Sequence, residues 1–242
     1  MKNYWLKRIS YLLSKNQLLS TIKSHKNSKF KEEPKKIIPE VSIESITDES
    51  DPKIAEAEHK NGNVSYTELQ YISKIVKFYQ PSTIFEIGTF DGRTTLNMAL
   101  NAPKAKIFTL DLPKQEIAKT KFRVKTGDLE FINKNQSGVR FIGTDEGKRI
   151  TQIYADSAQF NYAEFENKMD LVFIDGSHTY DYVISDTMTA MKLLRHKKGV
   201  IIWHDYGWYE VIKALNEFYT EGGIYAEMKN IEGTSLAFLK IN

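Results

Sequence analysis

The sequence predicts an α/β fold with a mostly parallel sheet that carries helices on both faces. Two observations support this prediction. From residue 65 onward, short apolar runs alternate with segments of helical periodicity, the pattern typical of a doubly wound sheet. The last two apolar runs have no helix between them, which predicts an antiparallel hairpin at the sheet edge.

The first helix begins at Ser65, because Ser65 and Glu68 have the spacing of a capping box, and it ends before Pro81. Five internal strands follow from the apolar runs at residues 83–88, 106–112, 150–156, 170–175 and 199–205. Helices are predicted at 93–102, 158–167 and 181–196, and the hairpin at 223–230 and 234–242. Residues 113–149 exceed an ordinary crossover; besides a helix we expect a loop or hairpin there, since "VRFIGT" at 139–144 is strand-like.

The chain divides into an N-terminal extension, residues 1–60, and a main domain, residues 61–242. Residues 4–22 have the spacing of a basic amphipathic helix, and the polar stretch from Ser24 to about Asn63 is typical of a linker. Residues 1–36 contain ten Lys and Arg against two Glu, so the remaining 24 basic and 29 acidic side chains give the main domain an acidic balance. This distribution argues against a nucleic-acid groove across the fold. The helix packs on its own domain, or contacts an anionic membrane surface or a partner protein.

Composition excludes several classes of site. No apolar run approaches the roughly 20 residues of a membrane-spanning helix, and the N-terminus lacks the pattern of a secretory signal, so we expect a cytoplasmic protein. The absence of cysteine excludes disulfides, thiolate metal sites and a Cys nucleophile. A metal would need carboxylate, imidazole or carbonyl ligands.

A candidate ligand site follows from the residues that end the predicted strands. Gly88 and Gly92 lie between the first internal strand and the next helix, where glycine allows close approach of a ligand to the backbone. Asp111 ends the following strand, where a carboxylate can accept hydrogen bonds from a ribose. Asp156 and Ser157 end the next one, within reach of an adenine edge. These positions favour a ligand that contains a nucleoside.

The glycine loop argues against a dinucleotide, because Thr89 and Phe90 separate the glycines and no third glycine completes the fingerprint. The sequence also has no Gly-Lys-Ser/Thr phosphate loop. The expected ligand is therefore one that contains a nucleoside but no polyphosphate.

The motifs "FEIGTFDGRTT", "FTLDL", "YADSAQF", "DLVFIDGSHTYD" and "GVIIWHD" are similar in order and spacing to those of class I S-adenosylmethionine-dependent methyltransferases, over about residues 60–242. The likeness is strongest to the branch of small-molecule and sugar O-methyltransferases. It implies a Rossmann-like, seven-stranded sheet. The cofactor-binding residues that it implies are Glu86, Gly88, Thr89 and Gly92 around the methionine part, Asp111 at the ribose, Asp156 and Ser157 near the adenine, and Asp175.

The resemblance also assigns chemistry to the strand ends. His178 corresponds to a basic residue that acts as general base, and an imidazole suits that role. The alternative is a loop histidine that caps a turn or pairs with Asp181. Asp175 and Asp205 match two acids that hold Mg²⁺ in relatives, but Tyr206 replaces the amide that is the third ligand there. His204 either enters the site through a bend or is a buried, hydrogen-bonded histidine.

The aromatic residues Trp203, Tyr206 and Trp208 follow one another closely at the end of the fifth internal strand. Trp203 is expected in the core, and Tyr206 and Trp208 in a pocket for the methyl acceptor.

The sequence thus predicts an S-adenosylmethionine-dependent methyltransferase that modifies a hydroxyl of a small molecule or glycan, with His178, Asp175 and Asp205 as catalytic residues. Mg²⁺ at Asp175 and Asp205 and a homo-oligomer are further expectations. The alternative is a nucleoside-binding or scaffold module without turnover, recruited through its N-terminal helix.

Overall fold

The structure, a computed structural model, describes residues 34–242, and the compact unit runs from Lys35 to Asn242. The amphipathic helix predicted at residues 4–22 lies outside the described residues and stays a prediction. No helix among residues 34–242 is long and apolar enough to cross a membrane.

Within residues 34–242, eight strands form one sheet in the order β1-β7-β8-β6-β5-β2-β3-β4. The strands are β1 (Glu40–Val41), β2 (Thr83–Ile87), β3 (Lys106–Asp111), β4 (Ile150–Tyr154), β5 (Leu171–Ile174), β6 (Gly199–Trp203), β7 (Lys229–Ile231) and β8 (Ala237–Ile241). Only β8 runs antiparallel to its neighbours, β6 and β7. The predicted fold class and the antiparallel pairing of the last two strands are confirmed. The first arm of the hairpin, predicted at 223–230, is wrong over most of its length, because Gly223–Glu227 form a 3-10 helix and only Lys229–Ile231 are a strand. Strand β1, an eighth strand beyond the seven expected, takes the sheet edge beside β7.

Five α-helices accompany the strands in the described part of the chain: α1 (Tyr66–Tyr79), α2 (Arg93–Asn101), α3 (Leu129–Ile132), α4 (Tyr180–Leu193) and α5 (Tyr209–Glu221). The predicted capping box is present, since the Ser65 hydroxyl accepts from the Glu68 amide and the Glu68 carboxylate accepts from the Ser65 amide. Helix α1 packs with α2, and α4 packs with α5. The main core cluster joins α1 and α2 to apolar residues of the strands.

Strand order creates a ligand site by geometry. From β2 the chain proceeds to β3 and β4 on one side, and then returns to β5 and β6 on the other. Loops after β2 and β5 therefore leave the sheet in opposite directions and open a crevice at the carboxyl ends of these strands, where ligands of such sheets bind.

Part of the predicted linker lies against the domain. The buried Arg93 guanidinium donates hydrogen bonds of 2.8 Å to the carbonyls of Glu56, Ala57 and Val64. Further along α2, the Asn97 side chain exchanges two hydrogen bonds with the backbone of Ala55, and the Asn101 side chain exchanges two with the backbone of Lys53. Residues 53–64 are thus held on α2, and strand β1 pairs with β7.

Two other predicted elements are also wrong. Residues 158–167 form turns instead of a helix, because Phe160, Tyr162 and Phe165 all join one aromatic cluster, with ring centroids 4.9 to 5.9 Å apart. Residues two apart on a helix point to different faces and cannot all reach one cluster. The strand-like run 139–144 also forms turns, in which the buried Phe141 packs over the glycine loop.

Candidate active site

The carboxyl ends of the strands border a cavity of about 280 Å³. Seven of the ten predicted site residues line this cavity: Gly88, Asp111, Asp156, Ser157, Asp175, His178 and Asp205. The fold thus brings together residues that the sequence separates by more than one hundred positions. Glu86, Thr89 and Gly92 do not line the cavity.

Glycine is required at two positions of the loop after β2, because other parts of the chain lie too close to the backbone there for a side chain. At Gly88, φ is +97°, and an added Cβ would lie 1.9 Å from the Asp175 carbonyl oxygen. At Gly92, φ is +87°, and an added Cβ would lie 2.7 Å from the Phe141 ring. Gly88 therefore allows the ends of β2 and β5 to touch at the base of the cavity, and Gly92 allows the segment after α3 to close over the loop.

Glu86 and Thr89 lie beneath the loop. The fully buried Glu86 carboxyl accepts hydrogen bonds from the hydroxyls of Thr95 and Thr109. Burial raises the pKa of Glu86 to about 8, so this carboxyl is protonated at neutral pH. The Thr89 hydroxyl bonds the Thr109 hydroxyl at 2.6 Å and accepts from the Gln152 amide. Both side chains support the loop from below.

Asp111 and Asp156 reach the cavity with different numbers of free lone pairs. Asp111 accepts from the Ser137 hydroxyl and pairs with Lys134 at 2.6 Å, both through Oδ2, and no hydrogen bond to its Oδ1 is seen in residues 34–242. Asp156 accepts four hydrogen bonds, from the amides of Lys121 and Ala158 and the side chains of Gln159 and Tyr182. Asp111 can still accept from a ligand, whereas the Asp156 carboxylate organises the surrounding backbone.

His178 lies between two carboxylates. Its Nδ1 is 2.7 Å from Asp128 Oδ1 and its Nε2 is 2.6 Å from Asp205 Oδ2. The Trp208 ring stacks on the imidazole, with 5.2 Å between the ring centroids. Burial alone would lower the pKa of His178, but the hydrogen bonds and charges of Asp128 and Asp205 outweigh it and raise this pKa to about 10. In the ligand-free protein His178 is therefore an imidazolium.

His204 continues this chain of charged groups. Its Nδ1 lies 2.9 Å from Asp175 Oδ1 and 3.0 Å from Asp205 Oδ2, and its Nε2 lies 3.2 Å from Glu68 Oε2. Asp205 has a φ of +60°, an unusual conformation for a residue other than glycine. Because of this bend, the side chains of His204 and Asp205 both face the cavity, although neighbouring residues of a regular strand point to opposite faces.

Burial and charge act in opposite directions at these groups. Burial would raise the pKa of Asp205 and of Glu68, but the charge of His204 and the hydrogen bonds that each carboxylate accepts hold both values well below the usual range. Burial would lower the pKa of His204, yet the charges of Asp175 and Asp205 raise it well above the usual value. Both carboxylates and the imidazole are thus charged near neutral pH in the ligand-free protein.

One cluster in the described residues has the composition of a cation site. Ligand atoms of Asp175, His204 and Asp205 all lie within 4.8 Å of one another. The Glu68 carboxylate at Nε2 leaves Nδ1 as the nitrogen that faces the two aspartates, an arrangement common for histidine ligands of metals. Two carboxylates and an imidazole suit a divalent cation, so the residues present fit such an ion.

The structure corrects the prediction for Tyr206. Its side chain is fully buried away from the cavity, and its hydroxyl accepts from the amides of Ile37 and Ile38 and donates to Asn216. Tyr206 therefore holds the N-terminal segment and is no part of an acceptor pocket. Trp208 does line the cavity, and Trp203 is buried with its indole N–H bonded to Thr187, as predicted.

Sequence reasoning missed two acids of the site, Glu68 and Asp128. Glu68 had a visible signal, the capping box, but that motif explains its carboxylate without reference to a site. Asp128 lies in a segment that showed no regular period. Neither residue could be connected to His178 or His204 before the fold was known.

The fold and the cavity together define a class I methyltransferase architecture. A family model described as a methyltransferase domain matches residues 85–206, which is half of the chain, and the chain belongs to this family. The prediction of a class I methyltransferase is thereby confirmed. A search of curated proteins finds no match.

Solved structures share the fold at low sequence identity. The O-methyltransferase TomG from Streptomyces achromogenes, involved in tomaymycin synthesis and solved with S-adenosylmethionine, has a TM-score of 0.54 and 14% identity over 79% of this chain and 92% of its own. The methyltransferase PaMTH1 from Podospora anserina, solved with S-adenosylhomocysteine, has a TM-score of 0.51 and 17% identity over 75% of this chain and 81% of its own.

Proposed function

We propose that this protein transfers the methyl group of S-adenosylmethionine to a hydroxyl of a small molecule or glycan. The observation that carries the proposal is the cavity itself, in which the glycine loop and Asp111 face the same space as the imidazole of His178. The family and the fold agree with this activity.

The cofactor side of the cavity fits a nucleoside. Gly88 brings the loop backbone to the base of the cavity, Asp111 keeps Oδ1 available for a ribose, and the backbone around Ser157 lies where an adenine edge would be read. S-adenosylmethionine, when bound, supplies a methyl group on a sulfonium sulfur, and the neutral thioether S-adenosylhomocysteine is a good leaving group. The protein then has to align the acceptor and help to remove its proton.

His178 is the proposed general base. In the ligand-free protein Nε2 carries a proton that it shares with the Asp205 carboxylate. Before His178 can act as a base, this proton must leave to solvent and the acceptor hydroxyl must take the place of the carboxylate at Nε2. Trp208, which stacks on the imidazole, lies half exposed at the cavity and offers an aromatic face to the acceptor.

Asp175, His204 and Asp205 are the proposed ligands of a divalent cation such as Mg²⁺, which would supply a Lewis acid for the acceptor oxygen. In this proposal His204 provides the third ligand that is missing at Tyr206. Calorimetric titration with Mg²⁺ and Mn²⁺ tests it: we expect binding to the wild type, and at least about tenfold weaker binding to His204→Ala and Asp175→Asn. Equal affinity for all three proteins would refute the ligand set.

The methyl transfer itself is tested in two steps. Calorimetry should first show that S-adenosylmethionine and S-adenosylhomocysteine bind. Incubation with methyl-labelled cofactor and a panel of hydroxylated small molecules and glycans should then give an O-methylated product, and mass and linkage analysis would distinguish it from N-methylation.

The variant His178→Ala should bind the cofactor but lose activity by about 10²-fold or more, whereas the exposed His196→Ala serves as a matched control. Cofactor binding without transfer to any acceptor would favour the nucleoside-binding module. No binding at all would refute the proposal. Contact of residues 1–36 with a membrane or a protein, and homo-oligomerisation, stay predictions.

A further inference from the structure

Asp128 is a buried carboxylate that the proposed mechanism does not yet use. It immediately precedes α3 in the segment between β3 and β4, and 7% of the residue is exposed. Asp128 Oδ1 lies 2.7 Å from His178 Nδ1, and Oδ2 accepts from the Ser177 hydroxyl at 3.1 Å and from the His178 amide at 3.4 Å. The carboxylate therefore holds both the imidazole and the turn that carries it.

The two carboxylates on His178 cannot have the same role in a proton transfer. A base that accepts a proton at Nε2 must expose Nε2 to the acceptor, so Asp205 must give up its contact there. Asp205 also contacts His204 and accepts from the Trp208 indole, and it belongs to the proposed cation site. Only the carboxylate at Nδ1 can remain in contact with the imidazole throughout the reaction.

The orientation of the ring depends on this remaining contact. Trp208 stacks on the face of the imidazole and limits its tilt, but a stacked ring does not fix which nitrogen faces the cavity. Asp128 does, since a carboxylate can only accept and therefore keeps a hydrogen on Nδ1. A neutral His178 then has its lone pair on Nε2, which is the nitrogen on the side of Asp205 and the cavity.

We propose that Asp128 is a positioning residue that holds His178 with Nδ1–H bonded to its carboxylate and Nε2 directed at the acceptor hydroxyl. The inference rests on the proposed function. In the transfer step, the acceptor oxygen forms a bond with the methyl carbon and the carbon–sulfur bond breaks, with its electron pair left on sulfur. The hydroxyl proton moves to Nε2, and Asp128 stabilises the resulting imidazolium through the hydrogen that stays on Nδ1.

The segment that carries Asp128 also forms part of the cavity wall. The same segment contributes Val124, Phe131 and Ile132 to the cavity wall. The part of the chain that shapes the cavity thus also holds the base, so base and cavity wall are positioned by one segment.

Asp128→Asn and Asp128→Ala test the proposal, with Asp145→Asn as the matched control, because Asp145 is an exposed acid of the same segment that pairs only with Lys148 among the described residues. We expect the Asp128 variants to lower kcat by about 10- to 100-fold, the range for loss of a group that orients a functional histidine. The acceptor KM and the affinity for S-adenosylhomocysteine should stay within about twofold of the wild type, since Asp128 acts on the base.

A double-mutant comparison separates positioning from a merely structural role. In a His178→Ala background, Asp128→Asn should lower the residual rate by less than about twofold, because a residue that acts through His178 has nothing left to position. An equal loss in both backgrounds, or a wild-type kcat for Asp128→Asn, would overturn the inference. If Asp128→Ala does not fold, Asp128→Asn carries the test, with S-adenosylhomocysteine affinity as its check of folding. A wild type that binds the cofactor but methylates no acceptor would instead defeat the proposed function, and the inference with it.

Discussion

Replacing His178 with glutamine should remove a pH-dependent part of the stability of the ligand-free protein. The imidazolium is held between Asp128 and Asp205, and its pKa is raised from 6.5 to about 10. A pKa unit corresponds to about 1.4 kcal/mol, so the two carboxylates stabilise the folded state by at most about 5 kcal/mol through this group.

The sign follows from the direction of the shift. Below pH 6.5 the histidine is protonated in the folded and the unfolded protein, and the stabilisation is complete. Between pH 6.5 and about 10 the unfolded chain has lost the proton and the folded protein still holds it, so the stabilisation declines as the pH rises. Above pH 10 the contribution is lost.

Urea unfolding in the presence of a chelator measures this effect. The free energy of unfolding of the wild type should exceed that of His178→Gln most at pH 6.5, and the difference should shrink by several kcal/mol, about 3 or more, by pH 9.5. The exposed His196→Gln controls for general effects of pH. If the difference in the free energy of unfolding between wild type and His178→Gln does not change with pH, His178 is not an imidazolium held between Asp128 and Asp205.

Three further predictions concern the elements that build the site. Gly88→Ala should lower the free energy of unfolding by about 3 kcal/mol or more and weaken S-adenosylhomocysteine binding, since its Cβ would collide with the Asp175 carbonyl. Gly143, which has a φ of +80° but no neighbour within 4 Å of an added Cβ, is the control, and Gly143→Ala should cost only about 1 kcal/mol. Equal costs for the two variants in calorimetry would contradict the close contact at Gly88. Arg93→Met should cost about 2 to 4 kcal/mol in urea unfolding, because three carbonyls lose a charged donor, and should increase proteolysis within residues 53–64; an unchanged digestion pattern would argue against this anchor. Tyr206→Phe should lower the free energy of unfolding by about 1 to 3 kcal/mol, because it removes the hydroxyl that bonds Ile37, Ile38 and Asn216. The affinity for S-adenosylhomocysteine should not change. A changed affinity would show that Tyr206 does contribute to the cavity.

The strands and most strand-end residues could be predicted because local patterns encode them. Apolar runs that end in Asp111, Asp156 and Asp175 are short enough to be strands, and parallel strands present their carboxyl ends on one edge of the sheet. Given that topology, residues from distant motifs must meet in one crevice.

Other parts of the site depend on contacts that have no local pattern. His204 and Asp205 share the cavity only because Asp205 adopts a left-handed backbone conformation, whereas regular strand alternation places them on opposite faces. Asp128 belongs to a segment of short 3-10 helices, and its carboxylate meets Ser177 and His178, which lie about 50 positions away in the chain. Residues 158–167 are turned by an aromatic cluster that only the assembled sheet provides.

The central claim is that one cavity holds the methyl donor beside the His178 imidazole. The most direct test is a crystal structure of the protein with S-adenosylhomocysteine. The account predicts that the ribose contacts Asp111, that the adenine lies beside Ser157, and that the sulfur lies near Gly88 with its open side toward His178 Nε2. A ligand bound outside this cavity, or one whose sulfur faces away from His178, would contradict the account.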